Sequence, residues 1–331
     1  MNGIFTGIFT SIVVSGVAAA SDQSYMDAVT EAAIMDASTR LSFMSDTSPV
    51  TADVFGFVQT RYQYRDGGDL DSTYGFSVPR IRLGVGGSVY DFSYRVSGQW
   101  DNGSTFRLMD AYGTGSFNSI DFKFGQFKTP FMSEVLVSQV DTLGMERSIV
   151  SNQFGQGRSQ GVQVSHDFGG FVASAAYSNG FNTANGVGVQ NDYAATGRVD
   201  WEMCDYFSAG GAVSYNDQTS SQWTWTADGI LTFGSFTLSG AYTSIEYDNV
   251  NNDWGATGKL GYFVTPELQP YVEYERGSLN TNTTDLSIVT GGFNYFFNTN
   301  VKLSAEFGYA LNDLTSGWNT GSSGWTTSTN S

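Results

Sequence analysis

The stretch Asp91-Phe92-Ser93-Tyr94-Arg95-Val96-Ser97-Gly98-Gln99-Trp100-Asp101 sets Phe92, Tyr94, Val96, Gly98 and Trp100 against Ser93, Arg95, Ser97, Gln99 and Asp101. Successive side chains of an extended strand point to opposite faces, so one face here suits lipid and the other suits water. The preceding stretch repeats the pattern, with Ile81, Leu83 and Val85 opposite Val78, Arg80, Arg82 and Gly84. An arginine in this pattern faces a wet interior rather than hydrocarbon.

Working outward, blocks of about ten alternating residues recur from Val54 to Leu311. Strands are expected near 54–65, 74–89, 91–101, 106–115, 119–127, 158–167, 170–180, 191–203, 206–216, 223–233, 235–247, 254–264, 267–277, 285–297 and 300–311. The gaps alternate between short ones, such as Val89-Tyr90-Asp91 and Gly234-Ser235, and long ones, such as Asp66–Thr73, Phe127–Gly157 and Gly180–Gln190. Short turns on one side of a membrane and long loops on the other define a transmembrane antiparallel β-barrel, so an all-β fold of 16 strands is expected. The sixteenth strand must be sought in Asn312–Ser331, a Ser-, Thr- and Asn-rich tail, and is expected to be weak or missing.

Composition agrees. The 331 residues include 40 Gly, 25 Phe, 18 Tyr and 7 Trp but only 5 Pro, a strand-forming balance. A mean hydropathy of -0.19 is no objection, because a barrel alternates its apolar residues instead of clustering them. Residues 1–20 are apolar and end in Ala18-Ala19-Ala20, which reads as an export signal cut after Ala20. Residues 21–52 read as a periplasmic leader, with Met26, Val29 and Ala33 at the spacing of a short helix, and 53–331 as the barrel. The single cysteine, Cys204, excludes an intramolecular disulfide, and a net charge of -17 excludes general attraction to nucleic acid.

The longest gap is flanked by Gly125-Gln126-Phe127-Lys128-Thr129-Pro130-Phe131, then Glu134, then Met145-Glu146-Arg147-Ser148. With Pro79-Arg80-Ile81-Arg82-Leu83-Gly84, Asp110-Ala111-Tyr112 and Gly161-Val162-Gln163-Val164, this order of motifs resembles the phosphate-selective porin O and P family across nearly all of 54–311. The resemblance implies a homotrimeric channel of the bacterial outer membrane whose third extracellular loop folds into the lumen opposite basic wall residues. Passive diffusion of small hydrophilic solutes and inorganic anions, phosphate among them, is the function it implies, with outer-membrane lipid around it and no cofactor.

The charges fit part of this. Ten of the fifteen basic residues lie between 61 and 158, whereas from Asp200 onward fourteen carboxylates face only Lys259, Arg276 and Lys302. Arg80, Arg82, Arg95, Arg107, Lys123 and Lys128 are the expected anion-guiding lining, and Phe131, Glu134, Glu146 and Arg147 the expected constriction loop. Fixed guanidinium groups in a water-filled pore offer successive weak anion sites. The opposing expectation is that these cations pair with Glu134, Asp141 or Glu146 and hold the loop in place. With only four lysines, a dense lysine trap at the mouth is not expected.

Other classes fare worse. Ser165-His166-Asp167 has the residue types of a hydrolytic triad, but neighbours on a strand cannot converge, so no enzyme is expected. One His and one Cys serve metal chemistry poorly, and Asp66, Asp69 and Asp71 lack a full calcium-loop spacing. Gly84, Gly86 and Gly87 are expected to let the inserted loop approach the wall. The alternative function is a structural or adhesive outer-membrane barrel without significant transport.

Overall fold

The computed structural model describes residues 5–17, 50–67, 70–102, 105–186, 192–217, 221–247, 252–280, 285–314, 317–321 and 325. Sixteen antiparallel strands form one closed ring in sequence order. They are β1 (Phe5–Val17), β2 (Asp53–Gly67), β3 (Leu70–Val89), β4 (Phe92–Asp101), β5 (Thr105–Phe117), β6 (Ile120–Lys128), β7 (Arg158–Asp167) and β8 (Phe171–Ser178). The ring continues through β9 (Ala194–Cys204), β10 (Phe207–Asp217), β11 (Ser221–Phe233), β12 (Phe236–Glu246), β13 (Asp253–Tyr262), β14 (Leu268–Ser278), β15 (Leu286–Asn298) and β16 (Val301–Ala310). Closure satisfies every strand edge, the condition for a sheet to stand in lipid.

Two expectations about the chain ends change. The sixteenth strand comes from the N-terminal side: Phe5–Val17, read as the body of an export signal, pairs with both β2 and β16, with Val14 opposite Val58 on one side and Val301 on the other. An apolar, small-residue run can serve either role. The expected leader helix lies outside the described residues, and the described residues of Asn312–Ser331 (312–314, 317–321 and 325) form no strand. The connection Asp66–Thr73 is also shorter than expected, since β2 and β3 extend to Gly67 and Leu70.

The alternation that decides the fold is visible in solvent exposure. In β4, Phe92, Val96 and Trp100 are 63%, 47% and 37% exposed, while Ser97 and Gln99 are 1% and 3%. β3 holds one exception. Gln59 of β2 pairs with Arg80 and Arg61 with Ser77, so Val78 and Pro79 together oppose Thr60 in a bulge. The extra residue switches the parity: Phe76 and Val78 point outward above it, Leu83 and Val85 below it. Val78 therefore does not share the face of Arg80. Pro79, with no N–H to pair, suits such a break in the ladder.

Aromatic side chains gather at both rims. At the long-connection end, rings run from Tyr177 through Tyr193, Tyr215 and Trp223, and from Trp225 through Tyr242 to Trp254, with neighbouring centroids 5.0–6.0 Å apart. At the short-turn end, Phe171 stacks on Trp201, Tyr206 meets Phe233, and Phe236 lies against Tyr262. Two such girdles bound the apolar band of a membrane barrel.

Candidate functional site: the barrel interior

The inward side chains of β2 organise one wall. The Arg95 guanidinium lies 3.8 Å from the Phe55 ring centroid and that of Arg82 lies 5.1 Å from Phe57, cation–π contacts that keep both cations on the wall. Arg82 also donates to Gln99 Oε1 at 3.0 and 2.5 Å. One step along, Arg80 donates to Gln59 at 2.7 Å and to both oxygens of Glu146 at 2.9 and 2.6 Å, and Arg61 donates to the same carboxylate. Next round the ring, Asp110 accepts from Arg158 at 2.7 and 3.1 Å and from Ser97 at 2.8 Å.

Cations on this wall also reach water. The side chains of Arg95 and Arg107 are 43% and 55% exposed, the latter paired with Asp101. Lys123 is half-buried, its ammonium 5.3 Å from the Tyr112 ring centroid and 5.6 Å from that of Phe127. Arg107 sits near the long-connection end of β5, Arg82 midway along β3, and Arg95 and Lys123 in the short-turn halves of β4 and β6. At ~3.3 Å per residue, they mark successive depths.

Between β6 and β7 the chain carries α1 (Ser133–Leu136), a 3-10 turn (Gln139–Asp141) and α2 (Ile149–Phe154). Ser148 caps α2 by accepting from Ser151 N at 3.0 Å. The Leu136 and Val137 carbonyls, past the reach of α1's own bonds, accept from Lys128 at 2.9 and 2.8 Å. Arg147 donates to Glu134 O at 3.0 Å and Val137 O at 2.8 Å.

The same segment is held by walls all round the ring. Glu146 meets β2 and β3 as described, and Arg198 of β9, paired with Asp228 of β11, donates to Phe131 O. Asp228 also accepts from Ser133 N at 3.1 Å. Glu275 of β14 accepts from Val150 N at 2.9 Å, Glu306 of β16 from Met145 N at 3.0 Å, and Lys302 donates to Val140 O at 2.7 Å. A segment bonded to strands on opposite sides of the ring runs through its interior.

Glu134 is the most heavily bonded group of this segment. Its carboxylate accepts from Lys259 of β13 at 2.6 Å, from the Ser148 hydroxyl at 2.6 Å and from the Ser151 hydroxyl. Burial pushes its pKa up, but the Lys259 charge and the hydrogen bonds from Lys259, Ser148 and Ser151 outweigh this and hold it down at about 2. Lys259 also lies 2.9 Å from Glu273, so one ammonium serves two buried carboxylates.

Beneath the segment, Phe131, Met132, Val135, Ile149, Val150 and Phe154 form an apolar cluster with Leu279, Leu286 and Ile288 of the wall. Gly255 makes the approach possible: a Cβ there would lie 2.8 Å from Phe154 and 2.9 Å from Val150. The glycines expected in this role, Gly84, Gly86 and Gly87, instead accommodate the Phe55 ring, Tyr94 and the Thr51 backbone. Leu314, Trp318 and Trp325 close the cluster from the C-terminal tail, where Trp318 meets Phe154 edge-on at 6.2 Å.

A family model described as Gram-negative porin matches residues 9–315. The chain belongs to the Gram-negative porin family. Its fold is similar to that of an anion-selective porin from Comamonas acidovorans, at 16% identity and TM-score 0.59, covering 79% of this chain and 99% of that one. It is also similar to OmpT of Vibrio cholerae in its trimer form (14%, TM-score 0.54, 79% and 99%) and to the outer membrane channel DcaP of Acinetobacter baumannii (14%, TM-score 0.56, 81% and 99%). Comparison with curated protein sequences gives no match. The protein is therefore a porin channel of the bacterial outer membrane.

Within this porin the expected residues separate. Arg82, Arg95, Arg107 and Lys123 line the interior of one wall, whereas Arg80 and Lys128 are spent on Glu146 and on loop carbonyls. Phe131, Glu134, Glu146 and Arg147 all belong to the interior segment, with Phe131 in its apolar cluster and the other three fixing it to wall or to itself. Arg61, Asp110, Arg198, Asp228 and Glu275 were missed as site residues. Their parity on the polar strand face was the available signal, but each has a partner 30 to 125 positions away that no local pattern reveals. His166 bonds the Ser119 carbonyl at 2.6 Å and packs edge-on to Phe168.

Proposed function

We propose that this porin passes small hydrophilic solutes and inorganic anions, phosphate among them, by passive diffusion as a homotrimer, with a bias for anions set by Arg82, Arg95, Arg107 and Lys123. The observation that carries this reading is an asymmetry of exposure. Glu273 and Glu275 on the far wall are each 4% exposed beneath the interior segment, while Arg95 and Arg107 reach water. A solute threading beside the segment thus meets fixed positive charge despite a net charge of -17. Guanidinium forks suit oxyanions without demanding one, and the scarcity of lysine argues for mild preference rather than strict phosphate selection.

Constriction by the segment that includes Phe131, Glu134, Glu146 and Arg147 is the rest of the proposal. Pore width and wall charge then set what passes. The experiment is the reversal potential in asymmetric KCl for the wild type and for Arg95→Ser with Lys123→Ser. Anion selectivity that weakens in the double variant is expected; a cation-selective wild type, or selectivity untouched by the change, rejects the bias. Light scattering of the detergent-solubilised protein is expected to give three chains per particle.

A further inference from the structure

Away from the cationic wall, at the long-connection end of the barrel, the interior segment leaves a cavity of about 190 Å³ against β10, β11 and the β8–β9 connection. Its lining is mostly amide, hydroxyl and phenyl, with Gln153, Gln156, Asn182, Asn216, Gln222 and Thr224 beside Phe154, Phe181 and the aliphatic Ile245, and none of the lining residues is ionisable. At ~30 Å³ per water the space equals about six waters, well under the ~300 Å³ at which drug-sized pockets begin.

Two buried groups on this lining have no partner among the described residues. Gln156 is 2% exposed, and its Oε1 is oriented by the Thr196 and Ser214 hydroxyls at 3.2 and 3.4 Å, yet its Nε2 makes no hydrogen bond among the described residues. The Thr224 hydroxyl, on a residue 1% exposed, is likewise unmatched. A buried polar group without a partner is costly and marks a missing ligand or water. Gln156 offers donors only, Thr224 offers both roles, and the two phenyl rings supply apolar faces.

We propose that this cavity is a binding subsite for a neutral polyhydroxylated solute of about one sugar ring, loaded at the mouth before passage. Hydroxyl groups, which donate and accept alike, match an amide and hydroxyl lining, and a neutral ligand pays no charge desolvation there. The inference rests on the channel reading above, but it assigns a second solute class to a different side of the interior.

The test uses glucose as the probe on the full-length protein, by titration calorimetry in detergent and by single-channel current in KCl, with glycine betaine as the hydroxyl-free control. Saturable glucose binding and a matching saturable current block are expected, neither with betaine. Gln222→Ala with Thr224→Val is expected to weaken both about tenfold, as for the loss of one or two hydrogen bonds, with KCl conductance unchanged. Normal conductance with no saturable glucose binding, binding shared by betaine, or binding indifferent to the double variant overturns the subsite and leaves the channel standing. Glucose binding in a protein that does not conduct upholds the subsite and removes the channel reading instead.

Discussion

The wall formed by β2–β7 and the wall formed by β13–β16 solve the same problem with different sets of charges. On the first, strand cations hold a carboxylate of the interior segment, Glu146 between Arg61 and Arg80. On the second, strand carboxylates hold the segment's backbone, Glu275 at Val150 N and Glu306 at Met145 N, beside two strand cations, Lys259 at the Glu134 carboxylate and Lys302 at the Val140 carbonyl. The first wall has more cations than the segment needs, and the surplus faces water. The second has no such surplus: Glu273 and Glu275 are buried and occupied. On the function proposed above, selectivity would come from the charges left over after the segment has been fastened.

Three changes test that comparison. The largest effect is expected from Glu146→Ala, which leaves Arg61 and Arg80 buried without their anion. Stripping one partner from a buried pair costs ~3–5 kcal/mol, so the segment should detach from the first wall. Higher and noisier single-channel conductance, with a lower melting temperature, is the expected record; a quiet channel of wild-type size would mean that Lys128, Arg198, Asp228 and the second wall fasten the segment without Glu146.

Acid should act next, on the second wall. Glu134 titrates at about 2, below its ordinary 4.5, so its contribution is complete above about 4.5 and fades as pH falls towards 2. Conductance traced downward in pH should stay constant until the pH nears 2 and rise there, as Glu134 protonates and releases Lys259. In Lys259→Met the rise should already be present at neutral pH. A flat profile to pH 2 would remove Glu134 from the fastening.

The smallest change is Gly255→Ala. The added Cβ would stand 2.8 Å from Phe154, and overpacking of this kind costs ~1–3 kcal/mol. A modest fall in melting temperature with an unchanged reversal potential is expected, since the leftover cations lie on the other wall. A shifted reversal potential would show that the two walls are coupled through the segment.

Much of the barrel was legible because period-two alternation is a local property: the pattern in Phe92–Trp100 needs no knowledge of distant residues. Three things were not local. Phe5–Val17 reads as an export signal until β16 is known to lack another neighbour. The parity of Val78 depends on a bulge opposite Thr60. The roles of Arg80 and Lys128 depend on which loop atoms the ring brings beside them, so neighbours that look alike in sequence, Arg80 and Arg82, end as fastener and lining. The motif from Gly125 to Ser148 did identify the segment that matters, but not which of its side chains would turn outward to water.

The interior segment is tethered both to β2 and β3 and to β16. Those strands lie far apart in sequence, and long-range contacts of this kind form late. The segment cannot complete these bonds until β16 has taken its place in the ring, so a barrel still short of β16 holds an incompletely fastened segment. Membrane leakiness would then report on the kinetics of the last strand's arrival, and a delay at β16 would be felt by the cell as an unplugged hole rather than as a missing channel.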